Sequence, residues 1–192
     1  MFSRQKKISV KLLLLTGLFI VGAFFLIYGC ASAPKTLDPA VSAPQLIVNP
    51  GTISLGAANL LGTKIVFEGS GFKPNDSVFI ALIGSDGAEM AAIADGKVGA
   101  DGKFTTAVGT LAKVTGILKG TVSGKYKKDG SYDQYVVLTG PPIPAGTYTA
   151  KAKSMLSDRS AETKLIIKEA SIGDSLKDWL GKRLGKIQDK RS

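Results

Sequence analysis

Residues 64 to 83 read Lys-Ile-Val-Phe-Glu-Gly-Ser-Gly-Phe-Lys-Pro-Asn-Asp-Ser-Val-Phe-Ile-Ala-Leu-Ile. Two runs of β-branched, aliphatic and aromatic residues flank a segment of Gly, Pro, Asn and Asp. Runs of this length and composition predict β-strands, and the segment between them predicts a turn whose entry is fixed by Pro74. Residues 77 to 83 are apolar on both faces of the predicted strand. That pattern is typical of a central strand.

The same alternation of short strands and turns extends over residues 46 to 168. Asp-Gly pairs at residues 86–87, 101–102 and 129–130 predict tight hairpins, because Asp tolerates and Gly favours positive φ. Long amphipathic helices do not interrupt the predicted strands, which argues against a parallel α/β fold. Seven or eight short strands with frequent turns indicate an all-β fold, an antiparallel β-sandwich. The further predicted strands are residues 46–48, 91–94, 103–108, a hairpin including Ile117 and Val122, 135–138, 146–153 and 163–168.

Three short motifs resemble segments of bacterial immunoglobulin-like domains on surface and secreted proteins. Residues 69 to 78, Gly-Ser-Gly-Phe-Lys-Pro-Asn-Asp-Ser-Val, are similar to a G-x-G-F-x-P-x-x-x-V segment of those domains. Residues 101 to 104, Asp-Gly-Lys-Phe, resemble their D-G-x-F hairpin, and residues 144 to 152 resemble their P-x-G-x-Y-x-x-x-A strand. The resemblance implies an immunoglobulin-like sandwich over residues 46 to 168. It also implies that Tyr148 is a tyrosine-corner residue, with its ring in the core and its hydroxyl on the backbone.

Residues 1 to 29 have the pattern of a secretory signal peptide. They carry four basic residues and no acidic one, and an apolar run extends from Leu12 to Ile27. A basic start, a short apolar run and a small residue before a cleavage point are the features of such a signal. The alternative is an uncleaved anchor in which residues 12 to 28 span the membrane, although a spanning helix usually needs about 20 residues.

Ile27-Tyr28-Gly29-Cys30 resembles the lipobox of bacterial lipoproteins, and Cys30 is the only cysteine in the chain. The resemblance implies that Cys30 receives a diacylglyceryl group, becomes the mature N-terminus and is N-acylated, for example with palmitate. Two or more acyl chains make a stable anchor. Residues 30 to 45 then form a proline-containing, lipidated tether. Ala31 after the cysteine favours sorting to the outer membrane, as in enterobacteria-like cells.

The charge balance favours an anionic partner. The chain has 192 residues and a formal net charge of +10; without the first 29 residues it has 163 residues and a net charge of +6. A basic excess of this size suits anionic lipid headgroups, an envelope polymer or an acidic protein. Nucleic acid is not an expected partner of an exported chain.

The residue inventory indicates a protein that is not an enzyme. The chain has no histidine, and its single cysteine is assigned to the lipid anchor. Sites of the Ser-His-Asp or Cys-His type therefore cannot form, and catalysis by carboxylates or by a Ser-Lys pair is left open. No cofactor is expected. The repeat Ala-Asp-Gly-Lys at residues 94–97 and 100–103 does not match a calcium-binding loop, so we predict two plain turns and no metal site.

Residues 111 to 134 depart from the repeated strand pattern and predict an additional hairpin. Its tip is basic and aromatic, which favours a contact surface for an anionic polymer or a protein partner. The alternative is a solvated loop, since surface charges are usually only solvated. We call this surface the hairpin tip; it consists of Lys125, Tyr126, Lys127, Lys128 and Tyr132.

Residues 170 to 192 predict a basic amphipathic helix. Apolar residues recur at helical spacing and cations lie on the other faces, and Ser171 or Asp174 is a candidate N-cap. Trp179, Lys182 and Arg183 are the candidate binding residues for a membrane surface or a protein partner. The alternative is that the apolar stripe packs on the sandwich or on a second copy. The stripe consists of Ile172, Leu176, Trp179, Leu180, Leu184 and Ile187.

These observations predict a lipid-anchored protein of the cell envelope, in the outer membrane, with a structural or adaptor role. It would present the immunoglobulin-like domain to a protein or polymer partner. The alternative function is a carbohydrate- or anionic-polymer-binding module. A histidine-free hydrolase is a third class, which requires a cleft containing carboxylates of perturbed pKa.

Overall fold

A computed structural model describes residues 33 to 191 of the chain. The predicted signal of residues 1 to 29 and the predicted lipidation site Cys30 lie outside the described residues. Within the described part, strands predominate and helices are few and short. The prediction of a β-rich fold is confirmed.

Eleven strands and four helical segments make up this part of the chain. The strands are β1 Gln45–Asn49, β2 Thr52–Ser54, β3 Val66–Ser70, β4 Ser77–Ile83, β5 Glu89–Lys97, β6 Phe104–Ala107, β7 Gly120–Tyr126, β8 Tyr132–Leu138, β9 Gly146–Ser154, β10 Ser160–Lys168 and β11 Ile187–Asp189. The helices are α1 Ala57–Gly62, α2 Thr110–Ala112 with the π-helix Lys113–Ile117 that continues it, and α3 Ile172–Arg183.

The strands form three sheets. Their orders are β1-β3-β6, β2-β10-β9-β4-β5 and β11-β8-β7. The neighbours are antiparallel except for two short edge strands, β2 on β10 and β11 on β8, which run parallel. The purely antiparallel prediction is wrong at these two edges. Parallel neighbours need a long connection, and here each pair is joined through many intervening elements.

Side chains from all three sheets meet in one apolar core. Strand β4 lies second from the edge of the five-stranded sheet, and Ile80 and Leu82 are fully buried. Phe67 on β3 faces the same core. Phe72 and Phe104 pack edge to face with ring centroids 5.2 Å apart, and the backbone of Gly69 passes so close to Phe104 that a Cβ there would overlap the ring. The Gly-x-Gly-Phe segment thus holds an aromatic pair against the backbone.

The three predicted Asp-Gly turns are confirmed, but the hairpin prediction is wrong at residues 101–102, because that turn connects β5 to β6 and these strands lie in different sheets. Gly87, Gly102 and Gly130 have φ values of 81°, 73° and 80°. In each turn the Asp carboxylate accepts a hydrogen bond from a backbone N–H two residues further on. The turn predicted at residues 94 to 97 is wrong, because these residues form the end of strand β5 and pair with β4.

Tyr148 lies as predicted for a corner tyrosine. Its ring is buried, and its hydroxyl donates a hydrogen bond of 2.7 Å to the carbonyl oxygen of Pro144. Burial raises the pKa of the phenol, with a smaller contribution from the charge of Asp86. The hydrogen bond ties β9 to the loop that precedes it.

The helix predicted over residues 170 to 192 is shorter than expected. It occupies Ile172–Arg183, and Gly185 follows in the left-handed region with φ 70°. Residues 187 to 189 then leave the helical path and form β11 on the edge of β8. Ile117, predicted to be in a strand, lies in the π-helix Lys113–Ile117. The Ile117 side chain is buried, and a buried apolar residue fits a strand as well as a helix, so the apolar pattern could not distinguish between the two.

Candidate functional site

Helix α3 begins with a capping box that also attaches the helix to the domain. The Asp174 N–H donates to the Ser171 hydroxyl at 3.1 Å, and the Ser171 N–H donates to the Asp174 carboxylate at 2.9 Å. The predicted cap at Ser171 is confirmed, with Asp174 as its reciprocal partner. The same carboxylate accepts a hydrogen bond of 2.9 Å from the Ser54 hydroxyl on β2. One side chain therefore both starts α3 and holds it on the sheet.

The pKa of Asp174 reflects this double role. Burial raises the pKa of the carboxyl, but the hydrogen bonds from Ser171 and Ser54 and the charge of Lys177 outweigh burial. The net pKa lies below the ordinary value. Since the folded state favours the ionised form, the contacts of Asp174 stabilise the fold above the carboxyl's unfolded pKa and are lost as the pH falls through its folded pKa.

One turn further along α3, Asp178 caps a different helix. Its two carboxylate oxygens accept hydrogen bonds of 3.0 and 2.7 Å from the N–H groups of Ala57 and Ala58, at the start of α1. Helix α1 has only six residues, and no side chain of its own caps it. A carboxylate at this end satisfies free N–H groups and opposes the positive end of the helix dipole.

The opposite end of α1 receives a cation. The Lys113 ammonium donates to the carbonyl oxygens of Thr63 at 2.5 Å and Leu61 at 3.3 Å. Burial lowers the pKa of Lys113. Both ends of α1 are thus completed by residues distant in sequence, Asp178 and Lys113.

The hydrogen bonds of Asp174 and Asp178 hold the polar side of α3 on the domain, so the apolar stripe of the helix faces away from it. Ile172 is 93% exposed and Trp179 is 54% exposed, and the three leucines of the stripe, at positions 176, 180 and 184, are exposed as well. The alternative in which the stripe packs on the sandwich is wrong for these five residues. It holds only for Ile187, which is buried in β11. We call the exposed set the outer face of α3; it consists of Ile172, Leu176, Trp179, Leu180 and Leu184.

The cations around this face differ in their contacts. The guanidinium of Arg183 lies 5.5 Å from the centroid of the Trp179 ring, a cation–π arrangement. Lys182 pairs with Asp189 at 2.7 Å, and Arg191 binds the same carboxylate through two nitrogens. Arg191 first and Lys182 second hold the pKa of Asp189 far below its usual range, against the opposing effect of burial. The predicted site residue Lys182 is therefore committed to an internal ion pair.

The hairpin tip is an exposed aromatic and basic surface. Tyr126 and Tyr132 are cross-strand neighbours with ring centroids 5.1 Å apart and tilted planes, and they are 79% and 53% exposed. Lys125 lies opposite Asp133 in the register, and Lys127 pairs with Asp133 at 3.9 Å. Lys128 is exposed in the turn that follows. The structure thus brings together the five residues predicted for this surface.

Asp133 also connects the hairpin to the end of α3. Its carboxylate accepts a hydrogen bond from Lys186, the residue that precedes β11. This bond, with the charges of Lys127 and Lys125, lowers the pKa of Asp133 despite the opposing effect of burial. The two surfaces predicted separately are therefore joined through β11 and Asp133. Nothing in the residue pattern indicated this pairing, because residues 133 and 186 belong to different predicted elements.

A cleft of about 360 Å³ lies beside Trp179. Sequence reasoning missed it, because its wall combines α3 with residues from distant loops. Its lining is Leu55, Pro142, Glu169, Ala170, Ser175, Asp178, Trp179, Lys182 and Arg191. The charged residues of both signs in this wall include Asp178 and Arg191, which are occupied by the internal contacts described above.

Two further properties of the described residues bear on the site. Between residues 33 and 191, no three His, Cys, Asp or Glu side chains lie close enough together to hold a metal ion. In the same range, no helix has both the length and the apolar character needed to cross a membrane.

The chain was also compared with known proteins. No protein-family model matches it, and a search of curated proteins gives no match. Among solved structures, macromomycin is similar over 65% of this chain and 99% of its own, with 16% identity and a TM-score of 0.37. A tetra-tandem repeat from the extending region of a large adhesion protein is similar over 64% of this chain and 49% of its own, with 16% identity and a TM-score of 0.22. TM-scores this low support no inference about function.

Proposed function

We propose that this chain is a lipid-anchored protein of the cell envelope, in the outer membrane, with a non-catalytic structural or adaptor role. The observation that carries the proposal is the end of the apolar signal at Ile27-Tyr28-Gly29-Cys30, which contains the only cysteine of the chain. In this proposal the acylated Cys30 is the anchor, and residues 30 to 45 are the tether. The domain that follows is an immunoglobulin-like sandwich that presents its surfaces to a protein or polymer partner.

The residues outside the anchor support a binding role better than a chemical one. The chain has no histidine and no second cysteine. The carboxylates of Asp174, Asp178 and Asp189 are engaged in hydrogen bonds that hold α1, α3 and β11 in place. A protein of this kind acts by raising the effective concentration of its partner at the membrane surface. The exposed hairpin tip and the outer face of α3 are the surfaces available for that contact.

Replacing Cys30 with serine is expected to abolish lipid attachment, because a serine hydroxyl cannot form the thioether. The measurement is incorporation of an alkyne fatty acid in cells that express the full chain, read on the purified protein. Wild type should be labelled and Cys30→Ser should give only background signal.

The control places the thiol elsewhere in the same segment. A Cys30→Ser/Ser32→Cys double variant keeps one cysteine but moves it by two positions. It should also remain unlabelled, because the resemblance to a lipobox is lost. Label on Cys30→Ser would contradict the proposed anchor.

A second candidate function is a carbohydrate- or anionic-polymer-binding module. The exposed pair Tyr126 and Tyr132, with lysines beside it, favours this function. Aromatic faces stack on sugar rings, and lysines attract acidic groups. On this proposal the hairpin tip carries the contact.

Reversing the charge of Lys125, Lys127 and Lys128 to glutamate should weaken retention of an acidic polysaccharide by roughly tenfold, since exposed charge pairs contribute up to about 1 kcal/mol each. Retention is measured by co-sedimentation with the polymer at low salt. A matched variant, Lys73→Glu/Lys103→Glu, changes two exposed lysines on other loops and should bind like wild type. Equal retention of all three proteins would exclude the hairpin tip as the contact.

A further inference from the structure

The outer face of α3 is an apolar surface that no other described residue covers. Its five large side chains are exposed, although burial of such side chains is normally favourable. We infer that this face lies on the anionic surface of the bilayer that holds Cys30, and that it fixes the orientation of the domain on the membrane. The inference rests on the proposed lipid anchor and identifies the surface that the anchored domain contacts first.

The charges of α3 fit this lipid surface. The helix contains two acidic residues, Asp174 and Asp178, and both point to the domain, where they bind Ser54 and the start of α1. Of the three basic residues of α3, Lys177 donates a hydrogen bond of 3.2 Å to the Asn59 side chain and Lys182 pairs with Asp189, so Arg183 is the cation that lies on the apolar face. Arg183, the last residue of α3, lies over the Trp179 ring. An exposed apolar face that carries Trp179 and Arg183, with both acids of the helix turned to the domain, matches helices that lie in the headgroup region of anionic membranes.

The tether is held to the domain close to its anchored end. The N–H of Lys35 donates to the side-chain oxygen of Asn49, and the Asn49 amide donates back to the Lys35 carbonyl, both at 2.9 Å. The Lys35 ammonium also donates to the carbonyl of Lys164 on β10 at 3.4 Å. Lys35 follows Cys30 by only five positions. An extended chain of that length reaches at most about 17 Å.

The attachment point of the tether is near the start of α3. Asn49 precedes Ser54 by five residues, so the two lie within about 17 Å of each other by covalent length alone. Ser54 in turn bonds Asp174 in the first turn of α3. On the proposed lipid anchor, these covalent lengths limit how far α3 can lie from the bilayer. That proximity raises its effective concentration there, so weak contacts of the outer face are sufficient for docking.

The only tryptophan of the chain, Trp179, lies on this face and reports directly on docking. The full chain is reconstituted in vesicles that contain phosphatidylglycerol and phosphatidylcholine brominated near the headgroup end of the acyl chain. Bromine quenches tryptophan at close range, and an interfacial helix places its apolar face about 5–10 Å into this region. We expect wild-type fluorescence to fall by roughly half compared with unbrominated vesicles, and to recover in part at high salt.

The variant Leu176→Glu/Leu180→Glu should lose the quenching, because both side chains are exposed and their replacement affects the outer face alone. The matched variant Leu111→Glu/Met155→Glu changes two exposed apolar residues elsewhere and should be quenched like wild type. Circular dichroism of each protein verifies that the fold is kept.

Two outcomes would overturn the inference. The first is wild-type Trp179 that brominated lipid does not quench in anionic vesicles. The second is shielding of Trp179 from acrylamide that persists in detergent and rises with protein concentration, which would show that a second copy covers the face. Fatty-acid labelling of Cys30 is read separately, and an unacylated chain would still insert through its apolar N-terminal run. Failure of docking and failure of the anchor are therefore distinguishable.

Discussion

Phe104→Ala is expected to lower the free energy of unfolding by about 3–5 kcal/mol. Phe104 is buried, and its ring contacts Phe72 edge to face at 5.2 Å and covers the backbone of Gly69. Truncation removes the transfer energy of the ring and leaves a cavity between β3 and the loop at Phe72. The cavity cannot close easily, because Gly69 has no side chain to fill it.

Urea unfolding followed by Trp179 fluorescence and by far-ultraviolet circular dichroism measures the loss. Leu111→Ala is the control, since the Leu111 side chain is exposed and its truncation should change stability by less than about 0.5 kcal/mol. A midpoint for Phe104→Ala that coincides with the Leu111→Ala midpoint would show that the aromatic pair contributes little to the core.

The double variant Asp174→Ala/Asp178→Ala is expected to release α3 from the domain and to cost about 2–4 kcal/mol. It removes the carboxylate half of the capping box of α3, the cap of α1 and the hydrogen bond from Ser54. The hydrogen-bond donors left without a partner are partly buried, so water replaces the lost hydrogen bonds only in part. The two effects are not independent, because both residues hold the same helix.

Limited trypsin digestion measures the release, since undocking should speed cleavage after Lys177, Lys182 and Arg183. Asp95→Ala/Asp158→Ala removes two exposed carboxylates and should digest like wild type. Unchanged digestion of the Asp174 and Asp178 variant would mean that other contacts, such as β11, hold α3 by themselves.

Acid should weaken the attachment of α3 through Asp174 in the wild type. The pKa of Asp174 is lowered in the fold, mainly through Ser171 and Ser54 against the effect of burial. Its contribution is therefore complete above about pH 4 and is lost as the pH falls through the lower folded pKa. The chain has no histidine, so no side chain with an ordinary pKa between about 5 and 8 changes the attachment of α3 to the domain in that pH range.

Local chemistry predicted the strands well. Asp-Gly pairs predicted three turns, because tolerance of a positive φ is a property of the residues themselves, and two of these turns close hairpins. The apolar run of β4 indicated its burial in the same way. The position of Tyr148 also followed from its local motif.

The missed elements depend on distant residues. Helix α1 has no cap of its own, and its partners Asp178 and Lys113 lie far away in the chain. Strand β11 is only three residues long, and it pairs with the edge of β8, which is distant in the sequence.

The candidate site was predicted in its residues but not in its orientation. Helical spacing identified the apolar stripe of α3, and periodicity alone cannot say whether a stripe faces inward or outward. The deciding contacts are those of Asp174 and Asp178, which draw the polar side of the helix to the domain. The approach of the helix to the hairpin also depends on a pair that no pattern contains, Lys186 and Asp133.

Strand β11 has a consequence for self-association. It occupies the outer edge of β8, where the N–H of Val136 bonds the Lys186 carbonyl and the Leu138 carbonyl accepts from Lys190. Without the three residues of β11, β8 would present free backbone groups beside the apolar side chains of Val136 and Val137. Edges of that kind recruit strands from other molecules. The C-terminal segment therefore covers an edge of β8 at which a strand of another molecule could otherwise pair.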